Sequence, residues 1–306
     1  MIRRHRTTAL VALAAALTLS ACGGGGDPLA EDEGSQEGDS TGDGGQSLVI
    51  GSANFPENVL LAEIYAAALG DAGVEVSTNL NIGNREAYMA GLEDGSIDLI
   101  PEYTGNLTLY LNEAAEATES DAVYAELQEA LPDNLTVLEM AEAEDKDSVV
   151  VTAETAEEFD LASIADLAPH APNMVLGGPP EWRDRFTGVP GLQEVYGLEF
   201  SEFKPLDAGS TLTVQALLNG QIDAGNIFST DPAIVENDFV ALEDPESLFA
   251  AQNVVPLIAT DAVTPEVEEA LNTVSAGLTT ENLTEMMVQV QDSDPADVAR
   301  EFVDAL

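Results

Sequence analysis

The sequence predicts a two-lobed α/β protein with a central cleft. Three observations carry that expectation. Strand, helix, strand, helix and strand signals alternate within about 50 residues of Leu48, which argues for a parallel sheet. A Gly-x-Ile-Asp pattern met in the first half of the chain returns in the second. Two apolar, β-like segments, 148–152 and 253–260, bracket about 100 residues and read as crossings between lobes.

In order along the chain, Leu48-Val-Ile-Gly51 reads as a short buried strand. Val59, Leu60, Glu63, Ile64, Ala67 and Ala68 fall at helical spacing, so 56–69 is expected to be a helix that stops at Gly70. Residues 74–80 alternate as a strand, 85–92 are helical up to Gly95, and 97–100 form a third strand. Setting Gly95 on Gly220 places Ile97 on Ile222, Asp98 on Asp223 and Tyr103 on Phe228. Each copy is a helix, a glycine cap, a strand and a loop that presents an aromatic ring beside a hydroxyl. Ligands of open α/β sheets sit at such strand ends. From Thr264 onward three helices are expected, capped at Thr264-Pro265, Thr280-Glu281 and Asp294-Pro295. The expected division is 47–147 with 253–306 as one lobe and 148–252 as the other.

The N-terminus reads as an export signal. Arg3, Arg4 and Arg6 precede an apolar run over 9–19, followed by Leu19-Ser20-Ala21-Cys22. The run is shorter than the roughly 20 residues a membrane-spanning helix needs. Leu-Ser-Ala-Cys resembles a bacterial lipobox, so Cys22 is expected to be lipidated once 1–21 are removed. That would hold the protein at the extracytoplasmic face of the cell membrane and leave no thiol for other chemistry. Residues 23–46 hold nine glycines, seven acids and no aromatic residue, the composition of a flexible leash.

Nine Lys and Arg stand against 57 Asp and Glu, a formal net charge of −48. Such a surface repels nucleic acid and anionic lipid headgroups, which excludes both as partners. The acids are spread along the chain from Asp27 onward, a bias read as solubility in salt, with steering of cationic ligands as the alternative. Hydrophobic residues at 45% still supply a large core. His170 is the one histidine beyond the signal, and it sits in an Ala-Pro-His-Ala-Pro loop. Phosphate-binding and metalloprotease motifs are missing, and the acids at 142–147 lack the glycine-punctuated spacing of a calcium loop. No catalytic residue, cofactor or metal is therefore expected, and the chain does not read as an enzyme.

Gly51-Ser52-Ala53-Asn54-Phe55-Pro56-Glu57, with Glu63-Ile64-Tyr65 and Pro101-Glu102-Tyr103-Thr104-Gly105, resembles the osmoprotectant-binding proteins of ABC importers. These are the glycine betaine, choline and carnitine binders of the ProX and OpuC type. Tyr196-Gly197-Leu198, the helix after Ser210, Phe228-Ser229-Thr230-Asp231 and Asn253-Val-Val-Pro256 resemble later segments, so the likeness runs from about 48 to 305. It implies a periplasmic-binding-protein-like fold of type II with a hinge, which closes on its ligand. The implied partners are a small osmoprotectant, an ABC permease with its ATPase subunit, and the membrane through the lipid anchor; the chain is expected to be a monomer. A sensory or scaffolding lipoprotein, or a binder of another small polar solute, is the alternative reading.

The family's aromatic cage draws a quaternary amine by cation–π attraction, and Tyr103 matches one wall of it. Other expected tyrosines are missing: Asp145-Lys146-Asp147-Ser148, Thr213-Val214 and Gln252 stand near their places. That departure implies weak affinity or a different ligand. Phe55 is either a ligand contact or a packing residue. Ser52 and Asn54 precede the first turn of a helix, where they either meet polar ligand atoms or only cap it. Thr211 is placed in the same way in the second lobe. Arg85 opens a helix, where a cation is disfavoured, which suggests a specific role. Arg185, with Arg183, either forks to a ligand carboxylate or pairs between lobes. Asp231 faces a cationic ligand or caps its own helix. Thr104, Asn106, Asp147 and Thr230, in or beside the matched segments, complete the expected ligand set.

Overall fold

The computed structural model describes residues 47–208 and 211–306. The expected signal, Cys22 and the leash lie outside the described residues, as does Ser210. Among the described residues no helix is long and apolar enough to cross a membrane.

β1 (Leu48–Ala53), α1 (Pro56–Asp71), β2 (Val76–Gly83), α2 (Arg85–Asp94) and β3 (Leu99–Tyr103) follow the expected alternation. α1 runs past Gly70, and the residue in the left-handed region beyond its end is Gly73, at φ 82°. β3 lies further along than 97–100 and runs through Pro101. That proline opposes Pro256 across the ladder, so the two missing donors fall at one position. α3 (Thr104–Leu111) starts directly from β3, followed by α4 (Ser120–Ala130) and β4 (Leu135–Val137).

The chain then enters a second sheet through β5 (Asp147–Thr152). α5 (Ala153–Phe159), β6 (Val175–Gly178), α6 (Val189–Tyr196), β7 (Glu202–Pro205), α7 (Thr211–Leu218), β8 (Ala224–Phe228), α8 (Ala233–Glu236) and β9 (Phe239–Ala241) complete that half. β10 (Val254–Ala259) returns to the first sheet, and α9 (Pro265–Gly277), α10 (Thr280–Gln289) and α11 (Pro295–Val303) follow. Thr264 and Asp294 cap α9 and α11 as expected. α10 is capped one residue earlier than expected, by Thr279 in a reciprocal capping box with Asn282.

The two sheets share one topology. The first runs β2-β1-β3-β10-β4 and the second β7-β6-β8-β5-β9, with three parallel strands followed by an antiparallel crossing strand in each. The sequence repeat lies on this symmetry. The Asp98 carboxylate accepts from the Val49 N–H at 2.8 Å, and that of Asp223 accepts from the Val175 N–H at 2.7 Å. Ile97 and Ile222 each crowd a strand glycine: a Cβ on Gly51 or on Gly177 would lie 2.6 Å from the isoleucine Cδ1. Gly95 and Gly220 both take the left-handed conformation that ends the preceding helix.

Each sheet is covered on both faces. Leu60, Ile64, Tyr65, Leu271 and Leu283 pack on one side of the first, and Leu92, Ile100, Leu107 and Leu127 on the other. In the second, strand alternation sends Val149 and Val151 to one core and Val150 to the other.

Candidate functional site

The carboxyl ends of equivalent strands face one another across the molecule. Tyr103 ends β3 opposite Val254, where β10 begins; Phe228 ends β8 opposite Asp147, where β5 begins. Phe55, in the turn between β1 and α1, sits with both: its ring centroid lies 6.1 Å from that of Tyr103 and 5.3 Å from that of Phe228. The three rings line a cleft of about 650 Å³, counted out to its open mouth, together with Tyr88 and Trp182. Trp182 comes from the second lobe and is 2% exposed, and its indole N–H has no hydrogen-bond partner among the described residues.

The polar wall is built from four linked groups. Arg85 opens α2 and reaches β3, where its Nε and Nη2 each donate to Glu102 at 2.8 Å; Glu102 also accepts from the Tyr88 hydroxyl. Burial works against the Arg85 charge, but the Glu102 carboxylate outweighs it and the guanidinium pKa rises. The unfavourable helix-end position is thus offset by a buried bidentate pair. Arg185 of the second lobe donates to Glu86 of α2 at 3.0 Å, bridging the lobes at the mouth. Asp147 accepts from Asn106 of the first lobe at 3.0 Å and from Asn226 of the second at 2.9 Å, and burial raises its pKa.

The fourth group lies between the lobes. Glu57 on α1 accepts from the Tyr103 hydroxyl at 2.7 Å and from the Thr230 hydroxyl. Asp145, just before β5, accepts from the Thr230 N–H at 3.1 Å and lies 3.0 Å from the same hydroxyl. Burial raises the Glu57 pKa; burial and then the charge of Glu57 hold Asp145 well above the usual carboxylate range. Burial, followed by these two acids, also raises the Tyr103 pKa.

Seven of the residues expected from sequence line the cleft: Asn54, Phe55, Arg85, Tyr103, Asn106, Asp147 and Arg185. The other five lie outside its lining. Ser52 is fully buried, accepting from the Asn81 N–H and donating to the Ala53 carbonyl. Thr104 donates to the Ala251 carbonyl and accepts from the Asn253 N–H, tying α3 to the segment just before β10. Thr230 belongs to the Glu57–Asp145 group. Thr211 is the first residue of α7 and, with Asp231, lines a separate surface depression; Asp231 also accepts from the Ala233 N–H ahead of α8.

Sequence reasoning left out Asn84, Tyr88, Asp145, Trp182 and Phe228, which line the cleft. Phe228 carried a signal through its equivalence to Tyr103. Trp182 lies in the Gly-Gly-Pro-Pro-Glu-Trp loop, which folds back over the cleft, a long-range contact without a local pattern. Gln252, which stands near the place of a cage tyrosine, is fully buried and accepts from the Asn106 N–H.

Comparison with known proteins agrees in fold and extent. The family described as the substrate-binding domain of the ABC-type glycine betaine transport system matches residues 46–305. A glycine-betaine-binding protein of Pseudomonas aeruginosa is 27% identical over 227 residues, covering 70% of this chain and 71% of that protein. The glycine betaine-binding protein YehZ of Escherichia coli is 22% identical over 275 residues, covering 83% and 88%. The crystal structure of a glycine betaine/carnitine/choline ABC transporter aligns with a TM-score of 0.67 at 20% identity. It covers 84% of this chain and 98% of that one, a likeness of fold.

Proposed function

The chain belongs to the family of substrate-binding domains of ABC-type glycine betaine transport systems, and on that premise we propose that its cleft captures a small quaternary-ammonium osmoprotectant for delivery to a permease and its ATPase subunit. The observation that carries this reading is the cluster of Phe55, Tyr103 and Phe228, drawn from both lobes and set beside the buried carboxylates Asp145 and Asp147. A trimethylammonium group has no hydrogen to donate, so ring faces and diffuse negative charge are what can hold it. At the other end of the ligand, an oxygen finds donors in Trp182 Nε1, Asn84, Arg85 and Arg185, all of which line the same cleft.

Aromatic walls from both lobes make binding and closure one event. A ligand that touches Phe55 and Tyr103 on one side and Phe228 and Trp182 on the other favours the closed form by its differential affinity. The remaining expected ligand contacts, Asn54, Asn106, Asp147 and Arg185, complete the set proposed here. Ser52, Thr104 and Thr230 support these contacts from behind. The reading includes export and tethering through a lipidated Cys22.

Calorimetric titration of the full chain with glycine betaine, choline, carnitine and proline betaine tests this function. The expected result is saturable binding of at least one of them, weakened at least tenfold by Tyr103→Ala. Absence of binding by all four would refute the quaternary-ammonium assignment.

A further inference from the structure

Outside the cleft, a second depression of about 1150 Å³ opens to solvent between the same two lobes. Arg85, Asn106, Arg185 and Thr187 line both spaces, so the outer one leads into the inner one. The Arg185–Glu86 ion pair stands at this passage, with side chains 29% and 52% exposed. Exposed pairs of this kind contribute little to stability, so the passage opens at small cost.

The outer depression has an unusual wall. Tyr110 of α3 and Phe186 of the second lobe are 41% and 44% exposed, and they are the two aromatic residues among the large exposed hydrophobics described. Both line this one depression, from opposite lobes. Glu113 and Asp184 join them, and neither carboxylate takes part in an ion pair among the described residues. The two arginines present are each matched to a carboxylate, Arg85 to Glu102 and Arg185 to Glu86. The wall therefore offers ring surface and net negative charge to solvent. A quaternary ammonium fits this chemistry better than an inorganic cation, because it sheds its weakly held water onto an aromatic ring at little cost.

We infer that this depression is an encounter site, where Tyr110 and Phe186, with Glu113 and Asp184, hold a quaternary ammonium before the Arg185–Glu86 gate admits it to the cleft. The inference rests on the proposed function for the identity of the cargo. The carboxylates draw the cation by their field, the rings retain it, and its local concentration at the gate rises.

The test uses the full chain and two probes. Stopped-flow binding of choline or glycine betaine to the Tyr110→Ala/Phe186→Ala double variant is expected to show association and dissociation both about fivefold slower, with the equilibrium affinity of the inner cleft unchanged. Glu113→Gln/Asp184→Asn is expected to flatten the salt dependence of association. Tetramethylammonium, which lacks any oxygen, is expected to give magnetisation transfer to the ring protons of Tyr110 and Phe186 at millimolar concentration. An unchanged association rate in the aromatic double variant would overturn the encounter site, and if transport is lost at the same time the rings belong to permease docking. If calorimetry finds no ligand for the inner cleft, the proposed function fails; the tetramethylammonium signal then decides the outer site alone, and its absence overturns it.

Discussion

Trp182 is the residue that most changes the reading of the cleft. Its ring is buried against Phe249, with centroids 6.2 Å apart, and its N–H, in the wall of the cleft, has no partner among the described residues. A buried donor without a partner is costly, so a ligand oxygen at this point gains what the protein alone leaves unmet. Trp182→Phe keeps the ring and removes the donor. It is expected to weaken glycine betaine about fivefold, following the roughly 1 kcal/mol of a neutral hydrogen bond, and to leave tetramethylammonium binding unchanged. Equal weakening of both ligands would assign Trp182 to packing alone. The sequence read well where a residue's neighbours decide its place, as with Tyr103, which ends β3 and lines the cleft. It read poorly where strand alternation or backbone bonding decides. Ala53 lines the cleft while Ser52, one step back on β1, bonds into the protein. Thr104 likewise turns to the backbone of Ala251 and Asn253, just before β10, beside a Tyr103 that lines the cleft.

At the scale of elements, the recurrence of Gly-x-Ile-Asp was legible because the same local problem is solved twice. A helix must end, a strand must enter beside its parallel neighbour, and the aspartate pins the two together. Asp98→Ala and Asp223→Ala are therefore expected to destabilise the protein by similar amounts, about 1–3 kcal/mol each, by leaving one strand N–H unmet. Because the sites lie in different sheets, their effects on urea unfolding should add in the double variant. A large cost at one site and none at the other would break the equivalence. The Glu57–Asp145–Thr230 group was not legible, since it joins α1, the segment before β5 and the loop after β8. Both acids have raised pKa values, so the contact between lobes is intact below the ordinary carboxylate value of about 4 and weakens as pH rises through the raised values. The thermal midpoint is expected to fall as pH rises from that value toward neutrality. Glu57→Gln should flatten the profile, since its amide donates where the carboxylates repel. A wild-type profile as flat as that of the variant would contradict the assignment.

For the molecule as a whole, the two-sheet plan and the crossings were legible from strand and helix periodicity and from the repeat. What composition could not reveal is how the lobes meet. Phe55 on Phe228, Asn106 and Asn226 on Asp147, Arg185 on Glu86, and Thr230 between Glu57 and Asp145 all join segments distant in sequence. The ligand proposed here enters the same seam, so capture and closure should be a single transition. Small-angle scattering of the full chain during titration with glycine betaine or choline tests this most directly. The account predicts a radius of gyration that falls saturably with ligand, following the calorimetric occupancy, and a response lost in Phe228→Ala. Binding at full occupancy with an unchanged radius at every ligand concentration would contradict it.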